Sequence, residues 1–195
     1  MRGRSDPAAA LLWGVQNADA PPRMNVFLVG PMGSGKSAVG RQLAQRLALE
    51  FSDSDAEIEA RTGVDIAYIF EREGEAGFRS REAEVIDALS RRDRVLVSTG
   101  GGAILDASTR ERLRARGRVV YLRTSVDQQL ARTRRSNDRP LLNNDDPRGT
   151  LERLFEQRAP LYAEVAEFVV DTDGRKVKTV VDEICHQLGV AGPAP

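Results

Sequence analysis

Short apolar runs separated by amphipathic stretches set the rhythm of this chain. Residues 26–29 (Val-Phe-Leu-Val), 94–98, 118–122 and 167–170 carry apolar, often β-branched side chains on consecutive positions, and a shorter run lies near 50–52. A half-exposed strand would alternate, so consecutive apolar residues predict strands covered on both faces. Helical periodicity fills the intervals at 36–48, 56–61, 65–73, 75–91, 107–116, 126–134, 147–165 and 176–188. Ser125 followed by Gln128 is a capping-box pattern, and Asp146-Pro147 places a cap before a proline at the first helical position. This βαβα alternation predicts an α/β domain, a parallel sheet with helices on both faces. Two stretches break the rhythm. Residues 53–92 hold more helix than a crossover needs, and 136–146 is a polar loop rich in Asn, Asp and Pro.

Gly30-Pro31-Met32-Gly33-Ser34-Gly35-Lys36-Ser37 joins the first predicted strand to the first predicted helix. It matches the phosphate-loop pattern G-x-x-x-x-G-K-[ST] in the context that gives the pattern meaning. Glycines let the backbone wrap so that successive N–H groups face phosphate oxygens, and the helix N-terminus adds its positive dipole end. Lys36 would reach the β- and γ-phosphates, and the Ser37 hydroxyl would ligate Mg²⁺. The chain has only three lysines (Lys36, Lys176 and Lys178) among 29 basic residues, so a lysine at this place is informative.

Composition narrows the alternatives. The 195 residues suit one domain with a well-buried core. Formal net charge is zero, and no basic stripe with interleaved aromatics is visible, which argues against a nucleic-acid partner. One cysteine, Cys185, excludes an internal disulfide and fits a reducing, cytoplasmic setting. No apolar run reaches membrane-spanning length. Residues 1–23 carry a weak apolar run after Arg2, Arg4 and Asp6 and are read as a disordered extension; 191–195 are read as a flexible tail.

A phosphate loop names a nucleotide, not a reaction. The Asn-Lys-x-Asp guanine-reading motif is absent, and the third strand runs into Gly100-Gly101-Gly102 rather than ending in a metal-binding aspartate. Asp53-Ser54-Asp55, after the second strand, is therefore the best source of a metal carboxylate. The two aspartates could serve different partners if the chain turns out of the strand there, one holding Mg²⁺ and the other facing an acceptor hydroxyl. The triple glycine would let another molecule approach the backbone closely. Arg79 and Glu82, three apart on one helix, share a face, so the carboxylate can orient the guanidinium. Arg139 opens Arg-Pro-Leu-Leu in the polar loop, and Arg158 opens Arg-Ala-Pro-Leu-Tyr in a later helix.

Taken in order, the phosphate loop, Phe51-Ser-Asp-Ser-Asp55, Phe78-Arg79-x-x-Glu82, Ser98-Thr-Gly-Gly-Gly102, Arg139-Pro-Leu-Leu142 and Arg158-x-Pro-Leu-Tyr162 resemble the shikimate kinase family. The resemblance covers nearly all of 24–188. It implies a P-loop kinase fold with five parallel strands in the order 2-3-1-4-5, one domain over 24–190, a substrate-binding insertion at about 53–92 and a lid at about 132–147. It implies phosphorylation of the 3-hydroxyl of shikimate by ATP with Mg²⁺, on the route to chorismate, by a cytoplasmic monomer without nucleic-acid or membrane partners. Residue by residue, Gly33, Ser34, Gly35, Lys36, Ser37 and Ala38 would hold ATP phosphates, with Arg132 and Arg175 near adenine. Ser37 and Asp53 would place Mg²⁺. Asp55, Arg79, Gly101, Gly102 and Arg158 would bind the acceptor, Asp55 as base or as orienting group. Lys36, Asp55 and Arg139 would serve catalysis, Arg139 from the lid.

Two rivals remain at this point. One is another small-molecule kinase of the same fold, for gluconate or a nucleoside monophosphate. The other is a catalytically silent ATP-binding regulatory module, against which the retained aspartates and arginines argue.

Overall fold

The computed structural model describes residues 24–133 and 146–190. The expected extension at 1–23, the lid residues 134–145 with Arg139, and the tail at 191–195 lie outside the described residues. Strands β1 (Val26–Val29), β2 (Glu50–Asp53), β3 (Val95–Ser98), β4 (Arg118–Arg123) and β5 (Phe168–Asp171) form one parallel sheet in the order β2-β3-β1-β4-β5. Helices α1 (Lys36–Leu47), α2 (Ser54–Thr62), α3 (Ile66–Ser90), α4 (Ala107–Arg116), α5 (Val126–Thr133), α6 (Pro147–Val165) and α7 (Val177–Gln187) connect them. A 3₁₀ turn at Ala103–Leu105 follows β3 and was not foreseen from periodicity, being too short to carry any.

The consecutive apolar runs do what their pattern predicts. Side chains of β1 alternate between two cores: Phe27 and Val29 join Val95, Val97, Val119 and Tyr121 on one face, while Val26 and Leu28 join Leu96, Val120 and Leu122 on the other. Helices α2, α3, α4 and α6 contribute to the first core, α1 and α7 to the second. Every residue of β1 and β3 is buried, whereas the edge strands β2 and β5 are only partly so.

Register sets up the site. Leu28 pairs with Ser98, and Ser98 with Asp53, so the carboxyl ends of β1, β3 and β2 lie side by side. The phosphate loop, the triple glycine and the Asp53–Asp55 turn therefore leave the sheet as neighbours.

The two helices expected at 65–73 and 75–91 are both present, joined across a kink at Gly74 into the element labelled α3. Gly74 (φ 70°, ψ −177°) breaks the helical path, in a conformation that side-chain-bearing residues rarely adopt. A fork from Arg81 to the carboxylate of Glu73 (Nε 2.9 Å, Nη2 2.7 Å) bridges the bend. Helix α2 begins earlier than expected, at Ser54, because Asp53 caps it by accepting from the Asp55 N–H at 3.1 Å.

Candidate active site

The phosphate loop is built from positions that demand glycine. Gly35 caps α1 at φ 91°, and Gly33 sits at φ 75°. Lys36 folds over the loop and donates from Nζ to the carbonyls of Gly30 and Pro31, both at 2.8 Å, with the Ser34 hydroxyl at 3.4 Å. Its ammonium is thus placed by the loop itself. Ser34 is buried beneath.

From the first turn of α1, Ser37 Oγ donates to Asp53 Oδ2 at 2.7 Å and lies 3.5 Å from Ser98 Oγ. A hydroxyl and a carboxylate oxygen side by side at the loop's mouth form a hard-oxygen pair suited to Mg²⁺, which ordinarily takes few protein ligands and completes its shell with phosphate and water. Among the described residues no group of three or more His, Cys, Asp or Glu forms a dedicated metal cage.

Asp55 lies one helical step beyond Asp53 and on another side of the turn, because β2 ends at Asp53 and α2 begins at once. The two carboxylates meet different neighbours, Asp53 the Ser37 hydroxyl and Asp55 the Gly100 backbone. Asp55 lines a cleft of about 310 Å³ together with Gly33, Gly35, Lys36, Ser37, Ala38, Asp53, Gly101 and Arg132. Nine residues expected from sequence to bind nucleotide, metal or acceptor thus share one cavity.

Of the triple glycine only Gly101 lines this cleft, and the three positions differ in what surrounds them. A Cβ on Gly100 would overlap Glu82 Oε1 and lie 2.8 Å from Asp55 Oδ1. One on Gly102 would overlap the Arg79 guanidinium. A Cβ on Gly101 would meet only ordinary contacts: Met32 N at 3.5 Å, Gly30 O at 3.6 Å and the Tyr162 hydroxyl at 3.7 Å. At two of the three positions, then, the close approach is made by the chain's own charged side chains. Ser54 steadies the run by accepting from the Gly100 N–H at 2.8 Å.

Arg79 donates from Nη1 to Glu82 Oε2 at 2.6 Å and from Nη2 to Glu75 Oε1 at 3.1 Å. Burial alone would disfavour the guanidinium charge, but the Glu82 and Glu75 carboxylates outweigh it and hold Arg79 firmly cationic. Glu82 is buried at 2 % exposure. Burial pushes its carboxyl above the usual carboxylate range, Arg79 pulls it back, nearby Asp55 pushes it up again, and Arg158 pulls it down. Glu82 is therefore the electrostatic centre joining Arg79, Asp55 and Arg158. Arg158 itself is buried, one turn before Tyr162 on α6.

On the opposite side of the cleft, Arg132 from α5 donates to Gly33 O at 2.8 Å and to Thr172 O at 3.0 Å, linking the phosphate loop to the turn after β5. Arg175 is not brought to this cleft. Its guanidinium pairs with Glu183 on α7 at 2.6 Å and donates to Asp171 O at 2.9 Å.

Sequence reasoning named Glu82 only as the partner of Arg79, and it missed Ser54 and Tyr162 as parts of the site. The available signals were the serine between two candidate aspartates and the four-residue spacing from Arg158 to Tyr162.

A parallel sheet in this order, with a phosphate loop after β1 and the Arg79–Glu82 pair packed against the glycine run after β3, defines a P-loop kinase fold. Comparison with known proteins narrows the class. A family model described as shikimate kinase matches residues 32–189. The shikimate kinase of Shewanella amazonensis is 55% identical over 167 residues, covering 86% of this chain and 98% of its own. A shikimate kinase structure from Acinetobacter baumannii, in complex with shikimate, superposes with a TM-score of 0.84 at 47% identity, covering 86% of this chain and 93% of that one. A gluconokinase from Sinorhizobium meliloti shares the fold alone, at TM-score 0.54 and 20% identity over 86% of this chain and 92% of its own. The chain belongs to the shikimate kinase family.

Proposed function

We propose that this chain transfers the γ-phosphoryl group of ATP to the 3-hydroxyl of shikimate, giving shikimate 3-phosphate and ADP on the route to chorismate. The observation that carries this reading is the position of Gly101. It lies against Gly30 and Met32 of the phosphate loop, while its neighbour Gly102 lies against Arg79. One peptide separates the cationic phosphate cradle from the arginine that would hold a carboxylate.

Phosphoryl transfer asks the protein mainly to align donor and acceptor and to neutralise charge on the moving group. Lys36 and the loop's N–H groups would bind the phosphates. Ser37 and Asp53 would hold Mg²⁺, which when bound offsets phosphate charge. Arg79 and Arg158 would grip the shikimate carboxylate through charge-assisted, planar forks. Asp55 would orient the ring hydroxyls and accept the proton of the attacking one. Arg132 would border the adenine; Arg175 would join it only by leaving Glu183. Arg139, outside the described residues, would act from the lid. A single chain supplies the described part of this site, in keeping with a monomer. The lone free Cys185 fits a cytoplasmic setting.

The test is an ADP-release assay with Mg²⁺ and ATP, offering shikimate, gluconate and nucleoside monophosphates in turn. Shikimate should be turned over with kcat/KM orders of magnitude above the others. Equal or better use of gluconate or a nucleotide would replace the reading, and tight ATP binding with no transfer to any acceptor would favour a silent regulatory module.

A further inference from the structure

Tyr162 lies on α6, stacked on Tyr121 with ring centroids 5.0 Å apart, and its hydroxyl donates to the carbonyl of Gly101. A phenol has one proton to give, so this bond commits it. Burial holds the phenol protonated far above neutral pH, while Arg158, one turn earlier, acts on it as a nearby cation. The carbonyl it holds belongs to a particular peptide. Gly101 C=O and Gly102 N–H are the two ends of one planar, trans unit and point in opposite directions. Fixing the carbonyl toward Tyr162 therefore fixes the N–H away from it, on the residue where an added Cβ would overlap the Arg79 guanidinium. With no side chains at 101 and 102, the peptide is held by this bond together with the turn bonds from Ala103 N–H to Gly100 O (3.2 Å) and from Leu105 N–H to Gly102 O (3.0 Å). Of these only the tyrosine grips its carbonyl. No acceptor among the described residues takes the Gly102 N–H, so it remains available for a ligand.

We infer that Tyr162 is a positioning residue, whose hydroxyl aims the Gly102 N–H at the acceptor's carboxylate alongside Arg79. A hydrogen bond at the carbonyl also polarises the peptide and strengthens its N–H as a donor. The inference rests on the acid-acceptor reading above, and it adds a residue that touches no substrate.

Tyr162→Phe keeps the stacking and removes only the hydroxyl. Its KM for shikimate should rise about three- to tenfold, the worth of one hydrogen bond, with KM for ATP and the thermal midpoint little changed. With shikimate methyl ester, whose carboxylate is neutralised, wild type and variant should differ by less than about twofold, because the oriented donor then loses its charged partner. Tyr121→Phe is the control: that hydroxyl has no partner among the described residues, so shikimate KM should stay put. A shikimate KM within about twofold of wild type for Tyr162→Phe would overturn the inference. So would an equal loss with the ester, or a parallel rise in Tyr121→Phe. Should Tyr162→Phe not fold, the wild type still decides: the Gly102 amide proton should move downfield in NMR when shikimate binds, and a stationary resonance would refute the role. If wild type releases no ADP with shikimate, the functional reading falls and takes the inference with it.

Discussion

The guanidinium of Arg79 occupies the space that a side chain on Gly102 would need. This packing leaves no room for a side chain at 102 while Arg79 stays on Glu82. Gly102→Ala should push Arg79 off Glu82 and raise the shikimate KM by at least about tenfold, ~1.4 kcal/mol, with KM for ATP unchanged. Gly101→Ala meets only ordinary contacts on the protein side, so thermal stability should be retained. Steady-state kinetics and melting curves on the two variants check the contrast.

Arg79→Ala removes a partly buried cation and leaves Glu82 without its closest partner. The expected loss in kcat/KM for shikimate is on the order of 2–5 kcal/mol. Arg79→Lys should recover little of it, because an ammonium cannot bridge Glu75, Glu82 and a carboxylate as a planar fork does. An unchanged kcat/KM in either variant would take Arg79 out of the site.

Ser37 and Asp53 act as a pair, 2.7 Å apart, so their variants should share one phenotype. Ser37→Ala and Asp53→Asn should both raise the Mg²⁺ concentration needed for half-maximal rate, with shikimate binding left intact. Lys36→Ala should instead abolish turnover at any Mg²⁺ concentration, since it removes the cation that would neutralise charge on the transferring phosphoryl group. Titrating Mg²⁺ at saturating ATP separates the two classes.

Asp55→Asn distinguishes proton acceptance from orientation. The amide keeps the shape and can hydrogen-bond a hydroxyl, but it cannot take a proton at neutral pH. A fall in kcat with little change in shikimate KM marks the base role. A rise in KM alone would mark orientation.

Glu82 predicts an acid limb. Its folded carboxyl titrates above the usual range, chiefly through burial. As pH falls through that raised value, Glu82 takes a proton and Arg79 loses the charge that orients it. The kcat/KM for shikimate should therefore drop at a pH higher than an ordinary glutamate would give. Stability runs the opposite way in the same window. The unfolded carboxyl ionises first as pH rises, so the contribution of Glu82 to folding is greatest below its unfolded pKa and is lost as pH climbs through the folded one. Glu82→Gln should flatten the kinetic limb while lowering activity across the range; pH–rate profiles of the two proteins decide it.

Much of this was legible along the chain. Consecutive apolar residues at 26–29 and 95–97 specify strands with two covered faces, and the covered faces are there. The glycine spacing of the phosphate loop encodes backbone angles that other residues resist, so a linear pattern was enough to locate the phosphate cradle. Likewise, Arg79 and Glu82 meet because three residues along a helix is a contact distance whatever the fold. Helix ends were less certain. The break at Gly74 is the expected boundary between two helical stretches, whereas the start of α2 at Ser54 lies two residues ahead of the expected one.

The sequence by itself determined the local chemistry: which loop takes glycine backbone angles at a helix start, which residues carry opposite charge on one helix, which runs are buried. Those properties depend on near neighbours and on backbone torsions, and they survive being read one residue at a time. Only the tertiary structure decided that Glu82 is buried between Arg79, Asp55 and Arg158, that Tyr162 holds Gly101, and that Arg175 turns to Glu183 rather than to the cleft. These outcomes join residues from different strands and helices. Burial and competition between distant charges arise only when strand register and helix packing bring those elements together.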